Sequence, residues 1–301
     1  MTNPTRGARA AMASPPPEDG LLLVDKPAGV TSHDVVQGAR RALRERRIDH
    51  LGTLDPFATG LLVLLIGRAT RLAPYVDGEP KGYDATIRFG AETTSDDLTG
   101  VVTAIAPLPR PDAVRAGIER LTGELDQVPP AYSAKQVGGE RAYDAARRGQ
   151  PLELRAARVT VHGWTVHALR ADEAEVSVVC SGGTYIRSLA RDLGRLSGSA
   201  AHLTSLRRTR SGPFDVADAV PFAELGERGR EALRSPLEGL GAVAVETLDP
   251  EGVNRVTRGM AVPTSVGGVR AALVDERDRR LVAVAERKGD RWQPRVVLRD
   301  A

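Results

Sequence analysis

Residues 61–66, Leu-Leu-Val-Leu-Leu-Ile, are apolar at every position and stop at Gly67. That length and continuity predict a strand buried on both faces. A different pattern follows, in which Tyr83, Ala85, Ile87 and Phe89 alternate with polar residues, as a half-buried strand requires. Helical spacing governs residues 33–47: Val35, Val36, Ala39 and Leu43 form an inward stripe, Arg40, Arg41, Arg44, Arg46 and Arg47 face outward, and Ser32 can cap the start. That basic face is a candidate RNA-backbone contact and equally a solvated surface. A second helix is predicted from Pro111 through Val114, Ile118 and Leu121 to Gly123. Strands near 157–169 and 174–180 lead through Gly182-Gly183 into a helix at 184–196, and a further strand begins at His202, carrying Arg207, Arg208 and Arg210. Strands and helices mixed without a regular βαβ repeat fit an α+β fold, a sheet with helices on its outside.

Beyond a boundary at about 235–245, Asp249 caps a short helix with Pro250 at its first position, Val253 and Val256 inward and Gly259 as its stop. Short strands are predicted at about 269–274, 281–286 and 295–299. Residues 1–19, with Pro15-Pro16-Pro17 and few large apolar side chains, read as a flexible tail. Residues 124–152 combine Pro129-Pro130, Gly138-Gly139, Lys135, Arg141, Arg147 and Arg148 in an irregular basic excursion with a short helix near 140–148.

Composition narrows the class. At 301 residues and 41% hydrophobic content, the chain can fill one large domain and a small one. Net charge is only +3, yet of 42 basic residues four are Lys (Lys26, Lys81, Lys135, Lys288) and the rest Arg, the cation suited to phosphate and base recognition. Codon bias in a GC-rich genome enriches Arg too. A single cysteine, Cys180, excludes an internal disulfide, and His33, His50, His162, His167 and His202 lack zinc-ligand spacing. A reducing cytoplasm, no metal and no membrane span are expected.

The candidate chemistry lies in residues 49–61, Asp-His-Leu-Gly-Thr-Leu-Asp-Pro-Phe-Ala-Thr-Gly-Leu. Pro56 fixes its own φ and keeps Asp55 out of the helical region, while Gly52 and Gly60 permit tight paths on either side. Asp before Pro also forms Asx turns, so residue types alone leave a structural turn and a catalytic carboxylate both open.

This stretch resembles the catalytic motif of TruB-type tRNA pseudouridine synthases, His-x-Gly-x-Leu-Asp-Pro-x-Ala-x-Gly. Other segments fit the same family in order: residues 21–32, Leu-Leu-Leu-Val-Asp-Lys-Pro-Ala-Gly-Val-Thr-Ser, as an opening strand and loop; Pro129-Pro130-Ala131-Tyr132-Ser133-Ala134-Lys135; Tyr143-Asp144-Ala145-Ala146-Arg147; and residues 180–190, Cys-Ser-Gly-Gly-Thr-Tyr-Ile-Arg-Ser-Leu-Ala. Together they cover roughly residues 20 to 215, and several ordered motifs are hard to meet by chance. The resemblance implies a mixed, mainly antiparallel pseudouridine synthase sheet over 20–240, a thumb-like insertion at about 124–152 and a small PUA-like RNA-binding domain over 245–301. It implies isomerisation of uridine to pseudouridine at position 55 in the T-loop of tRNA, a reaction that needs no cofactor; a monomer with no obligate protein partner is the default expectation.

By the same resemblance Asp55 is the catalytic carboxylate and Arg187 its partner, expected to lower its pKa by roughly 1–3. Tyr83 would stack on the flipped base and take part in a late proton transfer. Tyr185 and Leu206 would line the substrate pocket, His50 would fill the vacated stack, and Lys26 is a weaker candidate for phosphate contact. The sequence departs from the family at Gly183 and Gly82, positions often basic in relatives, and the acidic loop at 92–97 is generic. A tRNA-binding or tRNA-folding protein without turnover, and a same-fold synthase for another RNA, are the alternatives. A glycosidase is disfavoured, since Asp55 has no convincing second carboxylate.

Overall fold

The computed structural model describes residues 19–300 except 134–135, 138–139, 142–144, 146–147, 149, 151 and 153. The expected tail over 1–19 therefore lies outside the described residues save for Asp19, and the helix expected near 140–148 falls largely outside them.

In chain order the strands are β1 (Gly20–Lys26), β2 (Ile48–Leu51), β3 (Thr59–Ile66), β4 (Lys81–Phe89), β5 (Ala91–Thr93), β6 (Val102–Ile105), β7 (Gly123–Gln127), β8 (Gln136–Val137), β9 (Glu140–Arg141), β10 (Ala157–Leu169), β11 (Glu173–Cys180), β12 (Ala201–Ser211), β13 (Phe214–Asp215) and β14 (Val220–Pro221). One ten-stranded sheet runs β14-β1-β3-β12-β4-β11-β10-β7, with β2 added to β3 and β13 to β12. The β1/β14 and β3/β12 pairs are parallel and the rest antiparallel, so the sheet is mixed and mainly antiparallel as expected. Helices α1 (Ser32–Leu43), α2 (Pro111–Arg120), α3 (Ile186–Leu196) and the short α4 (Leu225–Arg228) flank it.

The apolar run of β3 is explained by what lies on each side. Leu62, Leu64 and Ile66 pack with Val35, Val36, Ala39 and Leu43 of α1, while Leu61, Val63 and Leu65 pack with Leu21, Leu23 and Phe214 on the other face. Full burial of each such side chain stabilises by about 1.5–3 kcal/mol, so β3 is a rigid centre for whatever its two ends carry. A third cluster joins β4, β11 and β12 to α2 and α3 and includes Leu54, Tyr83 and Leu206.

Two helix boundaries differ from the sequence reading. Thr31 rather than Ser32 is the α1 cap, in a capping box with Asp34, and the helix ends at Leu43 because Arg44 takes a left-handed conformation. This leaves the Ser32 hydroxyl free for another task. Helix α3 starts at Ile186, with Tyr185 at its cap.

A separate five-stranded sheet closes the chain, in the order β15 (Ala244–Leu248), β17 (Arg270–Asp275), β18 (Leu281–Lys288), β19 (Arg291–Val297), β16 (Val262–Pro263). Helix α5 (Pro250–Thr257) is capped by Asp249, whose carboxylate accepts from the Gly252 amide at 2.7 Å. The small sheet does not hang free. Ala272, Val274, Leu281 and Val284 share an apolar cluster with Ala69 and Leu72 of the 3-10 turn Gly67–Leu72 that follows β3. Among the described residues no helix is long and apolar enough to cross a membrane.

Candidate active site

Asp55 sits in the loop between β2 and β3, and the loop is tied down from one side by the β1–α1 connection. The Ser32 hydroxyl accepts from the Leu54 amide at 2.9 Å and donates to the Leu54 carbonyl at 3.1 Å. The Pro56 carbonyl accepts from the Gly29 amide at 2.8 Å and from Lys26 Nζ at 3.2 Å. Asp55 therefore projects from a backbone fixed on both sides of it.

Arg187, in the first turn of α3, meets this carboxylate with two parallel contacts. Its Nη2 donates to Oδ1 at 3.0 Å and its Nε lies 2.9 Å from Oδ2. The Arg187 side chain is only 4% exposed, whereas 33% of the Asp55 side chain remains open. The guanidinium is held in turn by the Ser95 and Tyr132 carbonyls, each accepting at 2.8 Å, and by Asp97 at 3.6 Å. A fork-to-fork pair of this kind fixes orientation as well as charge.

The expected lowering of the Asp55 pKa is not what the site gives. Burial raises it above 3.8 and outweighs the attraction of Arg187, because Asp97 shares that guanidinium and adds a like charge. A carboxylate desolvated yet still reachable from solvent is a functional-site candidate.

Tyr83, Tyr185 and Lys26 each lie close enough to Asp55 to feel its charge, and Leu206 shares the Leu54 cluster. Tyr83, on β4, is nearly buried in the same cluster as Leu54 and Leu206, and burial pushes its hydroxyl up. Leu206, on β12, pairs in register with Ala85. The Tyr185 backbone is bracketed by Gln127, whose amide donates to the Tyr185 carbonyl at 3.1 Å and accepts from its N–H at 2.8 Å. His50 lies on β2 opposite Leu64; burial lowers its pKa, and its Nδ1 is buried with no hydrogen-bond partner among the described residues. Lys26 is 0% exposed and gives its ammonium to the carbonyls of Pro27 (3.0 Å), Val30 (2.7 Å) and Pro56 (3.2 Å). An ammonium has three protons, so none is left for a phosphate: Lys26 is a buried fastener of the loop, with its pKa lowered by burial to about 8.

Sequence reasoning missed several residues that build the site. Ser32 was assigned to the helix cap. Asp97 belongs to the loop read as generic, yet Glu92, Asp96 and Asp97 pair respectively with Arg195, Arg191 and Arg187 of α3. The four-residue spacing of those arginines, set against an acidic loop, was the available signal. Arg208 is 1% exposed and donates to the Leu61 carbonyl at 2.7 Å and the Gly52 carbonyl at 3.0 Å. A cleft of about 480 Å³ bounded by Leu51, Gly52, Glu79 and Lys81 opens beside this loop.

Residues 40–186 match the family signature described as TruB family pseudouridylate synthase (N terminal domain), and residues 187–239 match that of the tRNA pseudouridylate synthase B C-terminal domain. The chain is 45% identical over 292 residues to the tRNA pseudouridine synthase B of Thermobifida fusca (strain YX), covering 93% of this chain and 98% of the relative. It is 42% identical over 289 residues to the protein of the same name from Mycobacterium sp. (strain KMS), covering 94% and 97%. Among solved structures, a chain in an H/ACA RNP bound to a substrate RNA containing 2′-deoxyuridine superposes with a TM-score of 0.69 at 22% identity, over 93% of this chain and 85% of that one. A chain of a Cbf5-Nop10-Gar1 complex gives 0.69 at 24% identity with the same coverage. At these identities the two structures speak to the fold.

Proposed function

This chain belongs to the TruB family of pseudouridylate synthases, and we propose on that premise that it isomerises uridine to pseudouridine in tRNA, at position 55 of the T-loop. The observation that carries the reading is the Asp55–Arg187 pair: a half-open carboxylate aimed by a buried, doubly bonded guanidinium beside an aromatic and aliphatic wall.

The reaction breaks the bond from ribose C1′ to base N1, turns the freed uracil and joins C1′ to C5, with no net oxidation. The target nucleotide leaves its stack at a cost of a few kcal/mol. Tyr83 recovers part of that cost by stacking, on the order of 1–3 kcal/mol per base, while Leu206 and Tyr185 complete the pocket. His50, whose buried Nδ1 has no hydrogen-bond partner among the described residues, fills the space the nucleotide vacates. Asp55 acts at the sugar as the ionised group, and Arg187 keeps it ionised and oriented against the desolvation of the site.

The catalytic unit spans residues 20–240. The exposed Arg41, Arg44, Arg46 and Arg47 at the end of α1 contribute phosphate contacts, and the closing five-stranded sheet serves as a PUA-like module that lengthens the RNA surface. The protein works in the cytoplasm as a monomer.

The test is to incubate a tRNA transcript with the wild-type protein and with Asp55→Asn and to map pseudouridine in the T-loop. Product from wild type and none from the mutant is expected. Product from Asp55→Asn at the normal rate rejects the carboxylate assignment, and tight binding with no product from either protein favours an RNA-folding role instead.

A further inference from the structure

Among the described residues, Arg208 is a buried cation without a balancing carboxylate. Among the described residues no acidic group lies within ion-pair distance of it, and its charged surroundings include Lys26, Lys81 and His50, each of whose pKa values it lowers. Burying a charge among like charges opposes folding, so this guanidinium calls for a reason other than stability. The chain makes room for it. Gly52 adopts φ +76°, and a Cβ there would stand 3.4 Å from Arg208 Nη1; Gly60, at φ +99°, lets β3 approach so closely that a Cβ would stand 2.2 Å from the Arg208 carbonyl oxygen.

What faces Arg208 is Tyr83. The two residues are directly opposite in the β4/β12 register, so their side chains leave the same face of the sheet with Cβ atoms about 4.5–5.5 Å apart. Arg208 is the cation acting on the Tyr83 hydroxyl and draws its pKa down against burial. Because its Nε and one Nη are anchored on β3 and on the Gly52 carbonyl, the remaining donor edge is held in place rather than mobile.

We propose that Arg208 is a positioning residue for proton removal from C5: anchored directly opposite Tyr83, its guanidinium orients the Tyr83 oxygen while that oxygen takes the proton. The inference rests on the function proposed above. Once C5 is joined to C1′, it carries both the new bond and its hydrogen. The phenolate takes that hydrogen as a proton; the C5–H electron pair becomes the C5=C6 double bond, the N1=C6 pair moves to N1, and N1 takes a proton from water. The phenol then returns its proton to the hydroxide so formed. The groups facing Tyr83 are Arg208 from β12, Cys180 from β11 and Asp55 from its loop. Burial, Cys180 and Asp55 all disfavour the phenolate, and Arg208 opposes them.

Single-turnover rates on tRNA transcripts carrying 5-deuterated or ordinary uridine, measured across pH 6 to 10 for wild type, Arg208→Gln and Arg208→Lys, test this. Arg208→Gln is expected to lose about 10²-fold at neutral pH, to recover as pH rises past the point where wild type levels off, and to show a C5 isotope effect that wild type lacks. Arg208→Lys keeps the charge without the fork, and should fall about tenfold with a smaller alkaline displacement; it carries the same test should Arg208→Gln fail to fold. Equal loss at every pH with no isotope effect, in the variant that folds, makes Arg208 a structural tie and overturns the inference. Failure of the parent reading is distinguishable: it shows as product from Asp55→Asn, whereas an inactive Asp55→Asn with a flat Arg208 response sinks only this step.

Discussion

Ser32→Ala isolates the contribution of loop fastening to the chemistry, because one hydroxyl serves both backbone groups of Leu54 and touches no expected substrate position. Ser32 and Leu54 are each 3% exposed, so the Leu54 amide and carbonyl, bonded at 2.9 and 3.1 Å in the wild type, lose their partner where water has little access. An orphaned buried group costs about 1–3 kcal/mol. Partial relaxation trims the sum for two, giving about 2–4 kcal/mol. For a domain of this size that is about 5–15 °C in melting temperature. Asp55 is the next residue, and a displacement of about 1 Å at a reacting group costs on the order of 10² in rate. The expected outcome is a lower melting temperature and a single-turnover rate down by 10- to 100-fold, with tRNA affinity by filter binding almost unchanged. A variant that melts within ~0.5 kcal/mol of wild type and reacts at its rate would mean that the Pro56 carbonyl contacts alone hold the loop, and the reasoning would be refuted.

Lys26→Met should lower the rate while leaving tRNA affinity and its salt slope intact; a weaker slope would restore the phosphate-contact role. Since the Lys26 pKa is lowered to about 8 from 10.5, the unfolded chain holds more protons between those values, stability rises with pH across that window, and Lys26→Met flattens the rise in urea titrations. Because the Asp55 pKa is raised above 3.8, the single-turnover rate on prebound tRNA should fall with an acid limb above that value, as the folded protein protonates Asp55 first; a limb at or below 3.8 contradicts the desolvation argument. Gly60→Ala combines a φ of +99° with a Cβ 2.2 Å from the Arg208 carbonyl oxygen, and should destabilise by ~3 kcal/mol or more; a soluble variant with wild-type melting would disprove the close approach of β3 and β12.

The elements legible in the sequence are those whose pattern outruns their neighbours' noise. The β3 run, the α1 stripe and the Asp249-Pro250 start of α5 each carry a local physical signal, and each is where the sequence put it. Strands β2, β5 and β7 were not legible, because Ile48–Leu51, Ala91–Thr93 and Gly123–Gln127 are short and rich in polar residues, and each is defined by the partner strand it meets rather than by its own pattern. The site divides the same way. Asp55 and Arg187 stand in recognisable local motifs, whereas Ser32, Asp97 and Arg208 act through partners remote in the chain, and no local period encodes that. The Asp55 pKa shows the same limit: the sequence announces a cationic partner, but how much water the fold removes is a property of the assembled site.

Helix α3 shows how the assembled site sets its own electrostatics. Residues four apart share a helix face, so Arg187, Arg191 and Arg195 form one row, met by Asp97, Asp96 and Glu92. Their side chains are 4%, 10% and 58% exposed, so the row runs from interior to solvent. The outermost pair contributes little on its own; it helps fix the rotation of the helix, which decides where the innermost guanidinium points. The innermost arginine stands between Asp97 and the half-open Asp55. Burial is the main cause that raises the Asp55 pKa, and one cation shared between two carboxylates offsets it only in part while fixing the orientation of the open one. The acidic loop at 92–97 thus faces the helix and prepares the carboxylate, rather than repelling RNA.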